Sequence, residues 1–277
     1  MNIGFIFELV VVRPLATVLV GIYQALSFLH VPYSLGFSVV ILTIIIRFIL
    51  YPLISSQLKS SKKMQTLAPH LSKLKEKHKG DHKRTQAETM RLYKEHGVNP
   101  VAGCLPLIIQ MPIIWGLYTL LQKVVTLSPQ VVVSEVNKLT YISAFKLTGP
   151  WDSSFLGLPL GQGPSSLLPT FGPLVFLVPV VTGILQFLQS KMLISPKAAS
   201  QNVSFKKDKK KEDFATAFQT QSTYIFPVMI GFFSYSFPIG LSLYWNTFTI
   251  FGIIQQYKIL GLGGLTDWKN RIWKKKN

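Results

Sequence analysis

Arg47 lies inside an otherwise uncharged apolar run, Tyr33-Ser-Leu-Gly-Phe-Ser-Val-Val-Ile-Leu-Thr-Ile-Ile-Ile-Arg47-Phe-Ile-Leu-Tyr-Pro-Leu-Ile-Ser-Ser-Gln57. A run of this length crosses a bilayer as a helix. The next basic residue, Lys59, stands roughly 18 Å further along that helix at about 1.5 Å per residue. An arginine at such depth costs about 2.5–3.5 kcal/mol on insertion scales. Snorkelling covers only part of the distance to the interface. No Asp or Glu occurs in any of the apolar spans, so an intramembrane carboxylate partner is missing. Hydrated polar surroundings remain as the account, and an ionisable residue so placed reads by default as functional.

Composition points the same way. Of 277 residues 48% are hydrophobic and 14% charged, which indicates a polytopic membrane protein and not a soluble globule. The single cysteine, Cys104, rules out an internal disulfide framework. The first residues lack the basic-then-apolar-then-small pattern of a cleavable signal, so none is expected.

Five spans are predicted, at 34–57, 101–123, 168–190, 219–235 and 239–258. Spans four and five are joined by a tight turn at Phe237-Pro238. Residues 4–29 are apolar but interrupted by Glu8, Arg13 and Pro14; residues 1–33 are predicted to form an amphipathic helix lying in the interface, with a sixth span over 4–29 as the alternative. The connecting segments alternate in charge. Residues 59–97 carry a net +7, residues 124–167 a net of zero, residues 191–213 a net +4 and the tail from Lys258 a net +5. Basic segments mark the cytoplasmic side. That rule assigns 58–100, 191–218 and 259–277 to the cytosol and 124–167 to the outside, with the N-terminus outside and the C-terminus inside.

Within 58–100 the apolar residues Met64, Leu67, Leu71 and Leu74 recur at helical spacing, and Ala87, Met90 and Leu92 continue the pattern beyond Gly80. A cytosolic basic helical hairpin is predicted. Its basic face suits anionic lipid headgroups. Lys206–Lys211 and Lys274–Lys276 read as solvated charge runs, or as docking segments for an acidic partner such as ribosomal RNA.

Polar side chains recur in the spans. Thr43 is one helical turn before Arg47 and faces the same way. Span two contributes Gln110, span three Gln186 and Gln189, and span five Ser242, Tyr244, Trp245, Asn246, Thr247, Gln255 and Gln256. Singly, such residues serve as interhelical hydrogen-bond glue, and Trp245 near the outer end also suits an interfacial aromatic belt. With an unpaired Arg47 the set fits a polar cavity better than an apolar bundle. Interior prolines, Pro106, Pro112, Pro179 and Pro227 among them, are expected to kink their helices and open the packing. No acid–base pair, nucleophile with a base, phosphate-binding loop or metal-ligand spacing is present in the sequence, so neither an enzyme nor a cofactor is expected. A small-solute or ion transporter is the competing class. An inverted repeat or a coupling-ion carboxylate would favour it, and neither is visible.

Two stretches carry a family resemblance. Gly97-Val-Asn-Pro-Val-Ala-Gly-Cys-Leu-Pro-Leu-Ile-Ile-Gln-Met-Pro112, running to Leu117-Tyr118, resembles the second-core-span signature of the YidC insertase family, whose relatives are the mitochondrial Oxa and chloroplast Albino proteins. Phe237-Pro-Ile-Gly-Leu-Ser-Leu-Tyr-Trp-Asn246, continuing to Gln255-Gln256, is similar to the family's last span, and the first span with Arg47 and Tyr51-Pro52 also matches. The resemblance covers roughly residues 5–260 and lacks the large periplasmic domain of Gram-negative members. It implies an all-α polytopic fold of five transmembrane helices around a hydrophilic groove, open to cytosol and lipid. It implies an insertase or chaperone of the bacterial cell membrane that works without nucleotide hydrolysis. Nascent membrane proteins are the implied substrates; a Sec translocon, the ribosome and anionic lipids are further expected partners. The implied substrate-binding groove contains Arg47, Thr43 and Trp245, with Gln189, Gln110 and Tyr244 expected beside them.

Overall fold

The computed structural model describes residues 2–78, 80–98, 105–125, 129–193 and 221–266. Cys104, the Asn99-Pro100 pair, the start of the span expected at 101–123 and both lysine runs lie outside them. The described residues are mostly helical, and among them one hairpin of two-residue strands is the sole sheet. The chain divides into two compact units. The first comprises Met1–Ile49, Ile108–Phe187 and Tyr224–Phe251; the second comprises Leu50–Leu107, Leu188–Thr223 and Gly252–Asn277.

In chain order the helices are α1 (Ile3–Phe7), α2 (Arg13–Phe28), α3 (Ser34–Lys77), α4 (His82–Glu95), α5 (Leu105–Val125), α6 (Pro129–Leu139), α7 (Pro164–Phe171), α8 (Leu177–Met192), α9 (Phe226–Ser234) and α10 (Ile239–Leu260). A π-helical turn, Glu8–Val12, joins α1 to α2, and another, Gln221–Ile225, precedes α9. Strands β1 (Ser154–Phe155) and β2 (Leu158–Pro159) pair antiparallel. Among the described residues three stretches are long and apolar enough to cross a bilayer: Gly4–Phe28, Ser34–Leu67 and Pro164–Met192. The first of them is the segment expected to lie in the interface. Thr223–Ser234 is apolar but shorter, and α10, an unbroken helix, carries Asn246, Gln255, Gln256 and Lys258 among its apolar residues.

The first unit is built around one stripe of the N-terminal helix. Val12, Ala16, Leu19 and Val20 are buried, the spacing of a single helical face. Gly116 of α5 meets that helix: a Cβ there would come within 2.7 Å of Val11. Its other partners belong to the segment after α5. Thr17 Oγ1 accepts from Tyr141 N at 3.1 Å, Gln24 donates to the Lys146 carbonyl at 3.0 Å, and Tyr23 meets Trp151 edge to face. Glu8 pairs with Lys123 at 2.8 Å and with Arg13 at 3.5 Å.

Residues 129–167 hold more regular structure than a generic connection. Leu156 and Gly157 both have positive φ, +52° and +82°, as a tight two-residue hairpin loop between β1 and β2 requires. The hairpin presses Phe155 onto α3 at Gly36, where a Cβ would lie 2.0 Å from the ring. Residues 160–165 dock main chain to main chain on the α9–α10 turn: Ile239 N donates to Gln162 O at 2.9 Å, Gly240 N to Leu160 O at 2.8 Å and Ser165 N to Tyr235 O at 3.0 Å. Helices α8 and α9 cross at Gly183 and Gly231, and small residues let their backbones touch. Beside that crossing the buried hydroxyls of Thr182, Ser234 and Ser242 bond to one another.

The prolines act unevenly. The 164–192 stretch breaks at Gly172-Pro173, where φ is +62° and a 3-10 segment intervenes before α8. In contrast, α3 runs on through Pro52 and Pro69 to Lys77.

In the second unit the C-terminal part of α3 and α4 form the two arms expected around Gly80, whose φ is +102°. The first arm is the same helix that carries Arg47, so no break separates span one from the basic segment. Asp81 caps α4, its Oδ1 accepting from Arg84 N at 3.0 Å. Gln255 of α10 donates to the Tyr51 carbonyl at 3.1 Å and to Ser55 Oγ at 3.0 Å.

Candidate functional site around Arg47

Polar side chains on the first part of α3 satisfy themselves before Arg47 is reached. Ser38 Oγ donates to Ser34 O and Thr43 Oγ1 to Val39 O, each at 2.6 Å and each one turn back on the same helix. Thr43 is fully buried on the face that carries Arg47. Arg47 asks for more than a hydroxyl does: a guanidinium has five donors and no acceptor, and one carbonyl a turn back does not satisfy them.

Arg47 is 2% exposed. Its Nε donates to the Phe248 carbonyl of α10 at 2.9 Å, and its Nη2 donates to the same oxygen. The guanidinium carbon stands 3.4 Å from the centroid of the Phe248 ring and 6.0 Å from that of Phe251. Phe48, next to Arg47, meets Phe251 edge to face at 5.3 Å. Arg47 takes part in no ion pair among the described residues. Part of the solvation that the sequence assigns to water is therefore supplied by a carbonyl and an aromatic face.

The remaining residues fall into two sets within the same unit. Tyr244 is fully buried, its hydroxyl accepting from Gln110 Nε2, and its ring stacks on Phe248 at 5.8 Å. Gln110, Tyr244, Phe248 and Arg47 thus form one contact chain. Trp245, the next residue on α10, points to a different neighbour: its Nε1 donates to Gln186 Oε1 at 3.2 Å. Asn246 lies beside them, its Oδ1 buried without a hydrogen-bond partner.

Sequence reasoning named Gln189 for the site. The structure gives the contact with Trp245 to Gln186, one turn earlier on α8, and Gln189 falls in the second compact unit. Phe248 was not named at all. Its only sequence signal is its place four residues after Tyr244, on the same face of α10.

These features define a class: a polytopic helical membrane protein with a buried, unpaired cation and polar side chains contributed by four of its apolar helices. The sequence comparisons narrow the class. Residues 27–261 match the family model described as 60Kd inner membrane protein. The chain is 34% identical over 230 residues to a membrane protein insertase YidC of Fusobacterium nucleatum, covering 83% of this chain and 88% of that protein. It is 33% identical to the membrane protein insertase MisCA of Bacillus subtilis, covering 82% of this chain and 70% of that one. Identity to the inner membrane protein ALBINO3 of Arabidopsis thaliana chloroplasts is also 33%, over 87% of this chain and 50% of the plant protein. A crystal structure of an active YidC insertase with its first transmembrane domain resolved superimposes with a TM-score of 0.53 at 27% identity, covering 87% of this chain and 45% of that one. The chain belongs to the YidC/Oxa/Albino3 family of membrane proteins.

Proposed function

We propose that this protein inserts nascent membrane proteins into the bacterial cell membrane, receiving them at a hydrophilic groove and releasing their apolar segments into lipid without nucleotide hydrolysis. The observation that carries this reading is Arg47: a cation kept inside an apolar bundle at a cost, and left without an anion among the described residues. A carboxylate brought by a substrate completes it. The bacterial relatives are membrane protein insertases, which supports the same activity.

In this mechanism a polar groove shortens the distance that a hydrophilic tail or loop crosses without water. Arg47 attracts the acidic or polar part of that segment. Thr43, Gln110, Tyr244 and Trp245 line the route. The apolar part of the substrate partitions into lipid, driven by its own burial in hydrocarbon. Five spans at 34–57, 101–123, 168–190, 219–235 and 239–258 surround the groove, the N-terminus is outside and the C-terminus inside. The N-terminal helix lies at the outer interface, a placement supported by its contacts with the 124–167 segment, whose net charge is zero. The basic hairpin and tails meet anionic lipid headgroups and the ribosome, and a Sec translocon is a further partner.

The test is reconstitution. Purified protein in liposomes, supplied with a small substrate bearing an acidic N-tail and no nucleotide, is expected to yield more protease-protected tail than protein-free liposomes. Equal protection in both would refute insertase activity. Substrate-dependent ion flux without protection would indicate the transporter class. Photocrosslinking of the nascent chain from position 43 or 245 separates an insertase from a scaffold that never touches its client.

A further inference from the structure

Arg47 solves its burial with a single residue of α10, and that residue is not acidic. Phe248 supplies both the carbonyl that accepts from Nε and Nη2 and the ring on which the guanidinium lies, 3.4 Å from its centroid. The ring is itself held by Tyr244, one turn earlier, at 5.8 Å and 30°. Tyr244 in turn is fixed by Gln110.

The choice of partner has a consequence for charge. A carboxylate in place of Phe248 would neutralise Arg47 and compete with any carboxylate arriving from a substrate. A carbonyl and a π face stabilise the cation through their dipole and quadrupole but leave its net charge intact. The bond to the Phe248 carbonyl is already charge-assisted by the guanidinium, but a carboxylate adds an opposite net charge and accepts from the planar fork bidentately, which a single carbonyl oxygen does not. An incoming Asp or Glu therefore wins the guanidinium from Phe248 without breaking an ion pair. The ring also opposes the alternative that would spoil the site, extension of the long Arg47 side chain toward the interface.

We infer that Phe248 is a positioning residue for insertion: it parks the Arg47 guanidinium within the bundle, unneutralised, for transfer onto an acidic side chain of the translocating segment. The inference rests on the insertase reading, in which Arg47 attracts the acidic part of the segment, and adds the residue that holds Arg47 ready for it.

The readout is the ratio of acidic-tail to neutral-tail insertion by the reconstituted full chain, two substrates that differ only in Asp or Glu against Asn or Gln. Normalising to the neutral tail removes any general loss of folded protein. Phe248→Leu keeps an apolar side chain and the carbonyl but removes the π face, and is expected to lower the ratio by about three- to tenfold. Phe248→Met serves the same purpose if the leucine variant does not fold, and Phe248→Tyr restores the ratio. The proposal is overturned if Phe248→Leu and Phe248→Met keep the wild-type ratio, including by losing both substrates in parallel, or if Phe248→Tyr behaves as they do. A wild type that inserts neither substrate refutes the insertase reading itself. A wild type that inserts both equally leaves that reading standing and refutes the carboxylate selection.

Discussion

The Tyr244 hydroxyl accepts a hydrogen bond from the Gln110 side-chain amide, with both side chains buried and the Tyr244 ring stacked on Phe248. The pair joins α5 to α10 directly beneath the residue that holds Arg47. Neither group has water as a ready alternative, so the pair matters more when broken than when made.

Removing one member should therefore cost more than removing both. Tyr244→Phe leaves the Gln110 amide buried without its acceptor, for a loss of about 1–3 kcal/mol. The double variant Tyr244→Phe with Gln110→Leu should recover most of that loss. Thermal unfolding in detergent measures the cycle. Additive losses in the double variant would mean that the two side chains do not depend on each other.

Gly36 is the contact point of the β1–β2 hairpin on α3. A Cβ there would lie 2.0 Å from the Phe155 ring, so the ring must move or the hairpin must lift. Gly36→Ala should destabilise the protein by about 1–3 kcal/mol, as overpacking does. Phe155→Leu in the same chain should relieve part of it. A Gly36→Ala protein as stable as wild type would show that the hairpin does not sit against α3 as described.

Orientation can be read with an impermeant thiol reagent on intact spheroplasts, using single cysteines in a Cys104→Ala background. Position 156, at the exposed hairpin tip, should label from outside. Position 83 in α4 should label only after the membrane is opened. The reverse pattern would invert the charge-based topology.

Much of this was legible in the sequence because bilayer solvation imposes coarse rules. The uncharged run around Arg47, the basic 59–97 segment and the Gly80 break each follow from hydropathy, charge or turn chemistry. Thr43 followed from helical period alone. Other features had no comparable signal. Phe248 is an apolar residue in an apolar span, and the sequence does not say whether such a ring faces lipid or a cation. Gln186 and Gln189 are three residues apart and share a helix face, so their choice depends on the local rotation of α8. The continuity of α3 through Pro52 and Pro69 was hidden because hydropathy falls where the helix does not end. The β1–β2 hairpin has strands of two residues, too short for an alternating pattern to register.

The central claim is that an unneutralised Arg47 attracts acidic segments of the substrate. The direct measurement is insertion into liposomes as a function of the number of Asp or Glu residues in the translocated tail, for wild type, Arg47→Lys and Arg47→Ala. Wild type should insert better as acidic residues are added, Arg47→Lys should keep part of that dependence, and Arg47→Ala should fail on the acidic tails that wild type prefers. Equal insertion of acidic tails by wild type and Arg47→Ala would contradict the account.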